Sequence, residues 1–231
     1  MRILALDTAT RATTVALDGL GDEVLEARDD PEPGERPRHA ATLLPLAERL
    51  LERAGIRFGD VELIAVGVGP GTFTGLRIGI ATARALAQAL SVPVIGVSTL
   101  QSLALRARAH RGVDDLDAVA AVLDARRKEV FAAAWRIGEV EDRDRALLPA
   151  AAFAPEALAA ELPRLGARVL AIGEGAVEFR SELERSGAAI PDDRAELHRV
   201  TAVGHCQIAR RLEPTTAVRV VPEYLRPPDV K

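Results

Sequence analysis

The segment best suited to bind a ligand reads GPGTFTG over Gly69–Gly75, between a β-branched run and an alanine-rich helical pattern. Its glycines allow positive φ and close backbone approach, and a helix beginning near Gly75 directs unpaired N–H groups at the loop. Such a loop can hold an anion. Leu76 and Arg77 stand where the phosphate-binding loop of NTPases needs Lys and Ser/Thr, which excludes that motif.

The helix predicted over Gly75–Leu90 carries a strip of small residues. The strip recurs every four residues and comprises Gly75, Gly79, Ala83 and Ala87. It would let another helix come close, and an internal glycine costs about 1 kcal/mol relative to alanine. Two interpretations remain open, because the glycines could serve binding or only allow the helix to pack tightly on the chain's own sheet.

Two aspartates end predicted strands, one in each half of the chain. Asp7 follows Ile3–Leu6 and Asp124 follows Ala120–Leu123, and a polar turn and a second strand follow each. The repeat indicates duplicated lobes of the α/β class. Two such acids could handle a metal or a phosphate, although each is explained by accepting turn N–H groups. The first turn lacks glycine, which weighs against strong ATP binding.

Other catalytic signatures are absent from the sequence. No serine stands in a Gly-x-Ser-x-Gly elbow, and the single cysteine, Cys206, fits the core of a helical pattern over Val200–Leu212. A zinc motif of the helical kind needs two histidines three or four residues apart. The four histidines lack that spacing; they are His39, His110, His198 and His205.

The 231 residues carry a formal net charge of −4 and a hydrophobic fraction of 48%. No apolar run predicts a membrane span or a secretory signal, so we expect a cytoplasmic protein that does not bind membranes. RNA contacts could only be local, since no global positive field exists. Two clusters are candidates, although solvated charged faces explain both: Arg106, Arg108, His110 and Arg111, and Arg126, Arg127 and Lys128.

Five segments, taken together and in this order, resemble the TsaB family. They are Ile3–Thr10, His39 followed by Leu43–Pro45, Gly69–Gly79, Asp124–Phe131 and Pro222–Arg226. The resemblance implies an actin/hexokinase-like (ASKHA) fold, that is, two-lobed α/β with duplicated ribonuclease-H-like lobes. We place the lobes at 1–104 and 105–231, with a helix at 200–212 that could pack back on the first lobe.

The resemblance also implies a role in forming threonylcarbamoyl-adenosine beside the anticodon of tRNA. Members of this family are non-catalytic subunits that bind TsaD, the catalytic paralogue, with the ATPase TsaE as a further partner and tRNA reached through the complex. The paralogue's His-x-x-x-His metal motif falls near Ser98 and Ser102 here. Hydroxyls do not replace imidazoles as iron or zinc ligands, so no metal and no cofactor are expected.

The resemblance assigns two sets of residues. The partner interface, formed by two helices that also suit a homodimer, comprises His39, Leu43, Leu46, Leu50, Gly75, Gly79, Ala83 and Ala87. The family motif comprises Asp7, Thr8, Gly69, Pro70, Gly71, Thr74, Arg77 and Asp124. Against the interface stands the alternative that both helices bury these faces inside their own lobe. The competing functions are a nucleotide-dependent enzyme of the same fold that uses Asp7 and Asp124, and a stand-alone RNA-binding protein.

Overall fold

The computed structural model describes residues 1–32, 34–109 and 115–226, so His110 and Arg111 of the first basic cluster lie outside the described residues. The chain forms two compact units. The first unit comprises Met1–Ser102 and Thr201–Glu223, and the second comprises Leu103–Val200 and, of the described C-terminal residues, Tyr224 to Arg226. The second half of the chain is therefore not one lobe, because residues 201–223 belong with the N-terminal ones.

A five-stranded mixed sheet with the order β3-β2-β1-β4-β5 forms the centre of the first unit. Its strands are β1 (Ile3–Asp7), β2 (Thr13–Asp18), β3 (Leu25–Asp29), β4 (Leu63–Gly69) and β5 (Val94–Ser98). β1, β2 and β3 pair antiparallel, whereas β4 lies parallel to both β1 and β5. Residues of β1, β2 and β4 are buried on both faces, which is why these strands read as continuous apolar runs.

Four helices belong wholly or mainly to the first unit. They are α1 (His39–Arg53), α2 (Phe73–Leu90), α3 (Thr99–Leu105) and α7 (Ala202–Ala209). α1 packs on β2 and β3, and α2 packs on β4. α7 contacts β1 and β2, and this packing assigns the C-terminal helix to the first unit.

The second unit repeats the strand arrangement of the first. Its sheet has the order β8-β7-β6-β9, formed by β6 (Ala118–Arg126), β7 (Glu129–Arg136), β8 (Leu148–Phe153) and β9 (Val169–Ile172). β6, β7 and β8 pair antiparallel and β9 lies parallel to β6, as β4 does to β1. Three short helices complete the unit, namely α4 (Pro155–Glu161), α5 (Glu174–Glu178) and α6 (Arg180–Glu184). The α/β class predicted from the repeated strands is confirmed.

No helix among the described residues has both the length and the apolar character that a bilayer crossing requires.

Helix α1 begins at His39 and encloses Pro45. Proline removes a hydrogen bond to the carbonyl of Ala41. Ala41 and Pro45 are both exposed, so water can solvate that carbonyl. The Thr42 hydroxyl donates to the carbonyl of Arg38 at 3.2 Å.

The eight residues assigned to a partner interface lie in the interior of the first unit. The α1 members are 1–6% exposed, and Ala83 and Ala87 are 0% and 2% exposed. Gly75 and Gly79 are buried as well, where an added Cβ would overlap the carbonyl oxygen and the hydroxyl of Thr8. The expectation that these side chains themselves meet a partner is therefore wrong. Gly75 and Gly79 of the small strip bring α2 close to Thr8 in the turn after β1, because a Cβ at either position would push the helix away.

The C-terminal end of α7 is held to β2 by an ion pair. Both Nε and Nη2 of Arg210 donate to the two carboxylate oxygens of Asp18, Nη2 at 2.8 Å. The Asp18 side chain is 6% exposed, and the hydrogen bonds from Arg210 hold the pKa of that carboxyl below its usual value.

We expect Gly75→Ala to destabilise the first unit, although alanine favours helix by about 1 kcal/mol. Overlap of the new Cβ with the Thr8 carbonyl should cost about 1–3 kcal/mol of unfolding free energy, measured by urea denaturation. The exposed α2 residue Gln88, changed to alanine, is the matched control and should stay within about 0.5 kcal/mol of wild type. Equal stability of the two variants would contradict the packing role of Gly75.

The Asp18–Arg210 pair should make stability depend on pH. Because the folded-state pKa of Asp18 is depressed, its contribution is complete above the unfolded pKa, near 4, and disappears as the pH falls through the folded value. We expect Asp18→Asn to lose about 1–2 kcal/mol at pH 7 and little at low pH, measured by urea denaturation. Asp22→Asn, which removes an exposed carboxylate, is the control. Parallel pH profiles for Asp18→Asn and wild type would refute this.

Candidate functional site

The glycine loop between β4 and α2 is packed against the turn that follows β1. Gly69 has φ of +118°, which favours glycine. A Cβ on Gly71 would overlap the carbonyl oxygen of Ala9, and the Thr72 N–H donates to the same oxygen at 2.7 Å. The space beside the loop is therefore filled by the protein's own backbone.

Both backbone polar groups of Gly75, in the first turn of α2, have partners nearby. The Thr72 hydroxyl accepts the N–H of Gly75 at 3.3 Å as the helix cap, and the Thr8 hydroxyl donates to the Gly75 carbonyl at 2.7 Å. The carbonyl oxygens of Thr8 and Ala9 lie against the loop glycines. Because these oxygens carry partial negative charge, they disfavour an anion. The geometry favours the close-packing interpretation of the glycines over the anion site.

Several family-motif residues form the outer edge of this loop. Pro70 is buried, whereas Phe73, Thr74 and Arg77 are exposed. The Arg77 guanidinium lies over the Phe73 ring, 3.6 Å from its centroid, one helical turn further along α2.

A buried polar network lies at the carboxyl end of β1. Nε2 of His205 is 2.9 Å from Oδ2 of Asp7, and Nδ1 of His205 is 2.8 Å from Oγ of Ser102. Asp7 and His205 are 0% exposed and Ser102 is 1% exposed. The Ser102 hydroxyl also lies 3.2 Å from the carbonyl of Thr201. We call these three side chains the Asp7–His205–Ser102 network.

The carboxylate oxygens of Asp7 also accept hydrogen bonds from two other groups. Oδ1 accepts the Ala9 N–H at 2.8 Å, and Oδ2 accepts the Thr99 hydroxyl at 3.4 Å. A Cβ on Gly67 would overlap Oδ2 of Asp7 and lie 2.8 Å from Nε2 of His205. Glycine at this point in β4 is therefore what gives the carboxylate and the imidazole room.

The roles of Gly67, Ser102 and His205 did not follow from the sequence. Their positions are far apart in the chain, and no spacing rule connects them. The only signal was that each is a small or polar residue inside an apolar pattern, which marks a buried contact but not its partner.

The network has the residue types of a hydrolase triad but not its arrangement. In a serine hydrolase, Nε2 of the histidine faces the serine, Nδ1 faces the aspartate, and the serine meets the substrate. Here Nδ1 faces Ser102, Nε2 faces Asp7, and Ser102 is enclosed. The contacts tie α7 to β1 and α3, so the arrangement stabilises the fold and offers no nucleophile.

Asp124 plays a local role like that of Asp7. Its Oδ1 accepts the Arg126 N–H at 2.7 Å, and its Oδ2 lies 2.8 Å from the Arg126 guanidinium. Each strand-end aspartate thus accepts the N–H two residues further on, as the simpler interpretation of the sequence held. Both carboxylates are engaged by groups of their own unit.

Three further candidate residues, His39, Ser98 and Cys206, also have roles inside the protein. Nδ1 of His39 lies 2.8 Å from the Thr13 hydroxyl, and burial lowers the pKa of His39. Oγ of Ser98 accepts the Gln101 N–H at 3.4 Å at the start of α3. Burial raises the pKa of the Cys206 thiol, so this cysteine is a core residue. Within residues 1–32, 34–109 and 115–226, no three His, Cys, Asp or Glu side chains cluster as metal ligands would.

The outward side of α1 and α2 is the exposed apolar surface of this region. We define the outer helix face as Ala41, Leu44 and Pro45 on α1 with Phe73, Ala81 and Ala85 on α2. Leu44 is 44% exposed and Phe73 is 38% exposed, although both are large and apolar. α1 and α2, which carry these residues, contact each other.

Comparison with known proteins gives the fold and the family. The family model of TsaD, described as tRNA N6-adenosine threonylcarbamoyltransferase, matches residues 31–179. YeaZ from Pseudomonas aeruginosa is 33% identical, with a TM-score of 0.79 over 97% of this chain and 99% of that one. A ROK hexokinase from Thermus thermophilus shares the fold, with a TM-score of 0.50 at 14% identity.

The tRNA threonylcarbamoyladenosine biosynthesis protein TsaB of Escherichia coli is 41% identical over 139 residues, which are 60% of this chain. The match spans 57% of that relative, so the chain spans little more than half the length of the curated protein. The hexokinase likeness confirms the actin/hexokinase-like fold that the sequence implied. The chain belongs to the family described by the TsaD model and, within it, to the TsaB (YeaZ) group.

Proposed function

We propose that this chain is a non-catalytic subunit of the bacterial machinery that forms threonylcarbamoyladenosine in tRNA. It binds a TsaD-like catalytic paralogue and supports transfer of threonylcarbamoyl to the adenosine 3′ of the anticodon. A TsaE-like ATPase is the further partner, and tRNA is reached through the complex. The observation that carries the proposal is the enclosure of the Asp7–His205–Ser102 network.

The enclosure supports a non-catalytic role because catalysis needs side chains that touch substrate. In the first unit the candidates from the sequence are buried and engaged: Asp7 with His205, and Ser102 with His205 and Thr201. The carbonyl oxygens of Thr8 and Ala9 lie against the glycine loop, where a nucleotide phosphate would have to lie. These contacts also speak against the competing nucleotide-dependent enzyme.

The outer helix face supports a role in binding another protein. Exposed leucine and phenylalanine side chains on adjacent helices are the apolar anchors typical of interface centres. The two helices expected to pair with a partner thus remain the proposed seam, but through Leu44, Phe73 and Ala85 and not through the buried strip. Two helices from each protein would form a four-helix contact, which a second copy of this chain could also occupy in isolation.

We expect Leu44→Glu to weaken binding of the catalytic paralogue by about tenfold or more, measured by calorimetry. A carboxylate at the centre of an apolar seam must lose its hydration without a partner charge. Leu20→Glu is the matched control, since Leu20 is also 44% exposed, belongs to the same unit and lies in the turn between β2 and β3. If both variants bind like wild type, the seam lies elsewhere.

Reconstituted tRNA modification tests the proposed function directly. A mixture of the catalytic paralogue, the TsaE-like ATPase, the threonylcarbamoyl-adenylate donor, ATP and tRNA should produce modified tRNA only when this chain is added. The chain alone should produce none. Modification that does not depend on the chain would refute the role.

Ser102→Ala separates structural support from hidden catalysis in the same assay. The variant removes the hydroxyl that lies 2.8 Å from His205 Nδ1 and should retain modification within about threefold, with some loss of stability. A folded variant that binds the paralogue but supports no modification would assign Ser102 a chemical role.

A further inference from the structure

The turn between β6 and β7 has an unusual backbone for its residues. Arg126, Arg127 and Lys128 have φ values of 63°, 57° and 61°, three consecutive left-handed residues without a glycine. Arg126 pairs with Glu129 in the strand register, so Arg127 and Lys128 form a two-residue hairpin loop. We call residues 126–128 the basic turn.

The basic turn is poorly suited to its own conformation. Two-residue hairpin loops with positive φ at both positions favour Asn-Gly or Asp-Gly, because other residues bring Cβ close to the backbone carbonyl. Arginine and lysine therefore make this turn less stable than Asn-Gly or Asp-Gly would. Such strain at exposed residues indicates that the side chains serve something other than the turn.

The charges around the basic turn are predominantly positive. Asp124 pairs with Arg126, and Glu129 pairs with Arg226. These residues, with Arg127 and Lys128, make four basic and two acidic groups, in a chain whose formal net charge is −4.

Residues 126–128 are exposed, and the Arg126 side chain is 61% exposed despite its ion pair. Within the described part of the chain, Lys128 makes no ion pair or side-chain hydrogen bond. The chain has two lysines, Lys128 and the final residue, Lys231.

We infer that the basic turn binds the phosphodiester backbone of tRNA. The inference rests on the proposed function and names the RNA-contacting element of this chain. Arginine and lysine on a protruding hairpin suit successive phosphates of a strand, where each side chain replaces condensed counterions. The turn carries no aromatic side chain for base stacking, so the contact positions RNA and reads no sequence.

The test replaces the loop by the residues that its backbone favours. Arg127→Asn with Lys128→Gly should raise the melting temperature and at the same time weaken tRNA binding by the reconstituted complex with the catalytic paralogue. Titration of fluorescent tRNA at low salt should show about a tenfold loss of affinity. The slope of log affinity against log salt should fall by about 0.7–0.9 for each lost phosphate contact.

Arg164→Gln with Arg168→Gln is the matched control, since it also removes two exposed charges of the second unit. It should leave the affinity and the salt slope near wild type. The inference would be overturned if the Asn-Gly variant bound tRNA with wild-type affinity and a wild-type salt slope. It would also be overturned if the control variant lost as much tRNA affinity as the Asn-Gly variant. Both double variants should bind the catalytic paralogue normally, so failure of the proposed function would be seen separately, in the Leu44→Glu and reconstitution experiments.

Lysine footprinting gives a second readout on the unaltered protein. Acetylation of Lys128 by an N-hydroxysuccinimide ester, followed by mass spectrometry, should slow at least threefold when tRNA is added to the complex. Lys231, the only other lysine, is the internal reference. Equal acetylation of Lys128 with and without tRNA would overturn the inference.

Discussion

The structure of the first unit depends on the burial of a carboxylate at the end of its central strand. Asp7 is fully enclosed, and an isolated buried charge is costly unless donors surround it. The Thr99 hydroxyl of α3 and the Ala9 N–H of the turn after β1 donate to the carboxylate, and Nε2 of His205 on α7 lies 2.9 Å from its Oδ2. The C-terminal helix is therefore part of the N-terminal unit, since without it Asp7 would lack its imidazole partner.

Close backbone approach is the second constraint, and it follows from the first. Gly67 leaves room for the Asp7–His205 contact, while Gly71 and Gly75 admit the turn that carries Asp7. Glycines that resemble a ligand loop in the sequence thus hold a loop, a strand and a helix together. As a result the inner side of α2 is closed by the protein's own atoms, which is why the proposed binding surfaces lie on the outer helix face and on the basic turn.

Local patterns predicted most of the secondary structure. β1 was predicted at its observed bounds, and α2 begins two residues before the predicted start because Thr72, not a later residue, provides the cap. The position of Pro45 did not mark the start of α1, because this proline is exposed to solvent and lies inside the helix. The order of the motifs in the sequence identified the family. It did not identify which side of α1 or α2 faces outward.

The sequence by itself determined the elements, the duplicated α/β arrangement and the family, because these depend on periodicity and on the order of local motifs. Only the tertiary structure decided which face of α2 is buried, which partner Asp7 has, and to which unit residues 201–223 belong. A small strip and a strand-end acid are compatible with either packing or binding. What separates the two is the set of atoms that lies opposite them, and contacts between residues 198 positions apart, such as Asp7 and His205, leave no trace in local spacing.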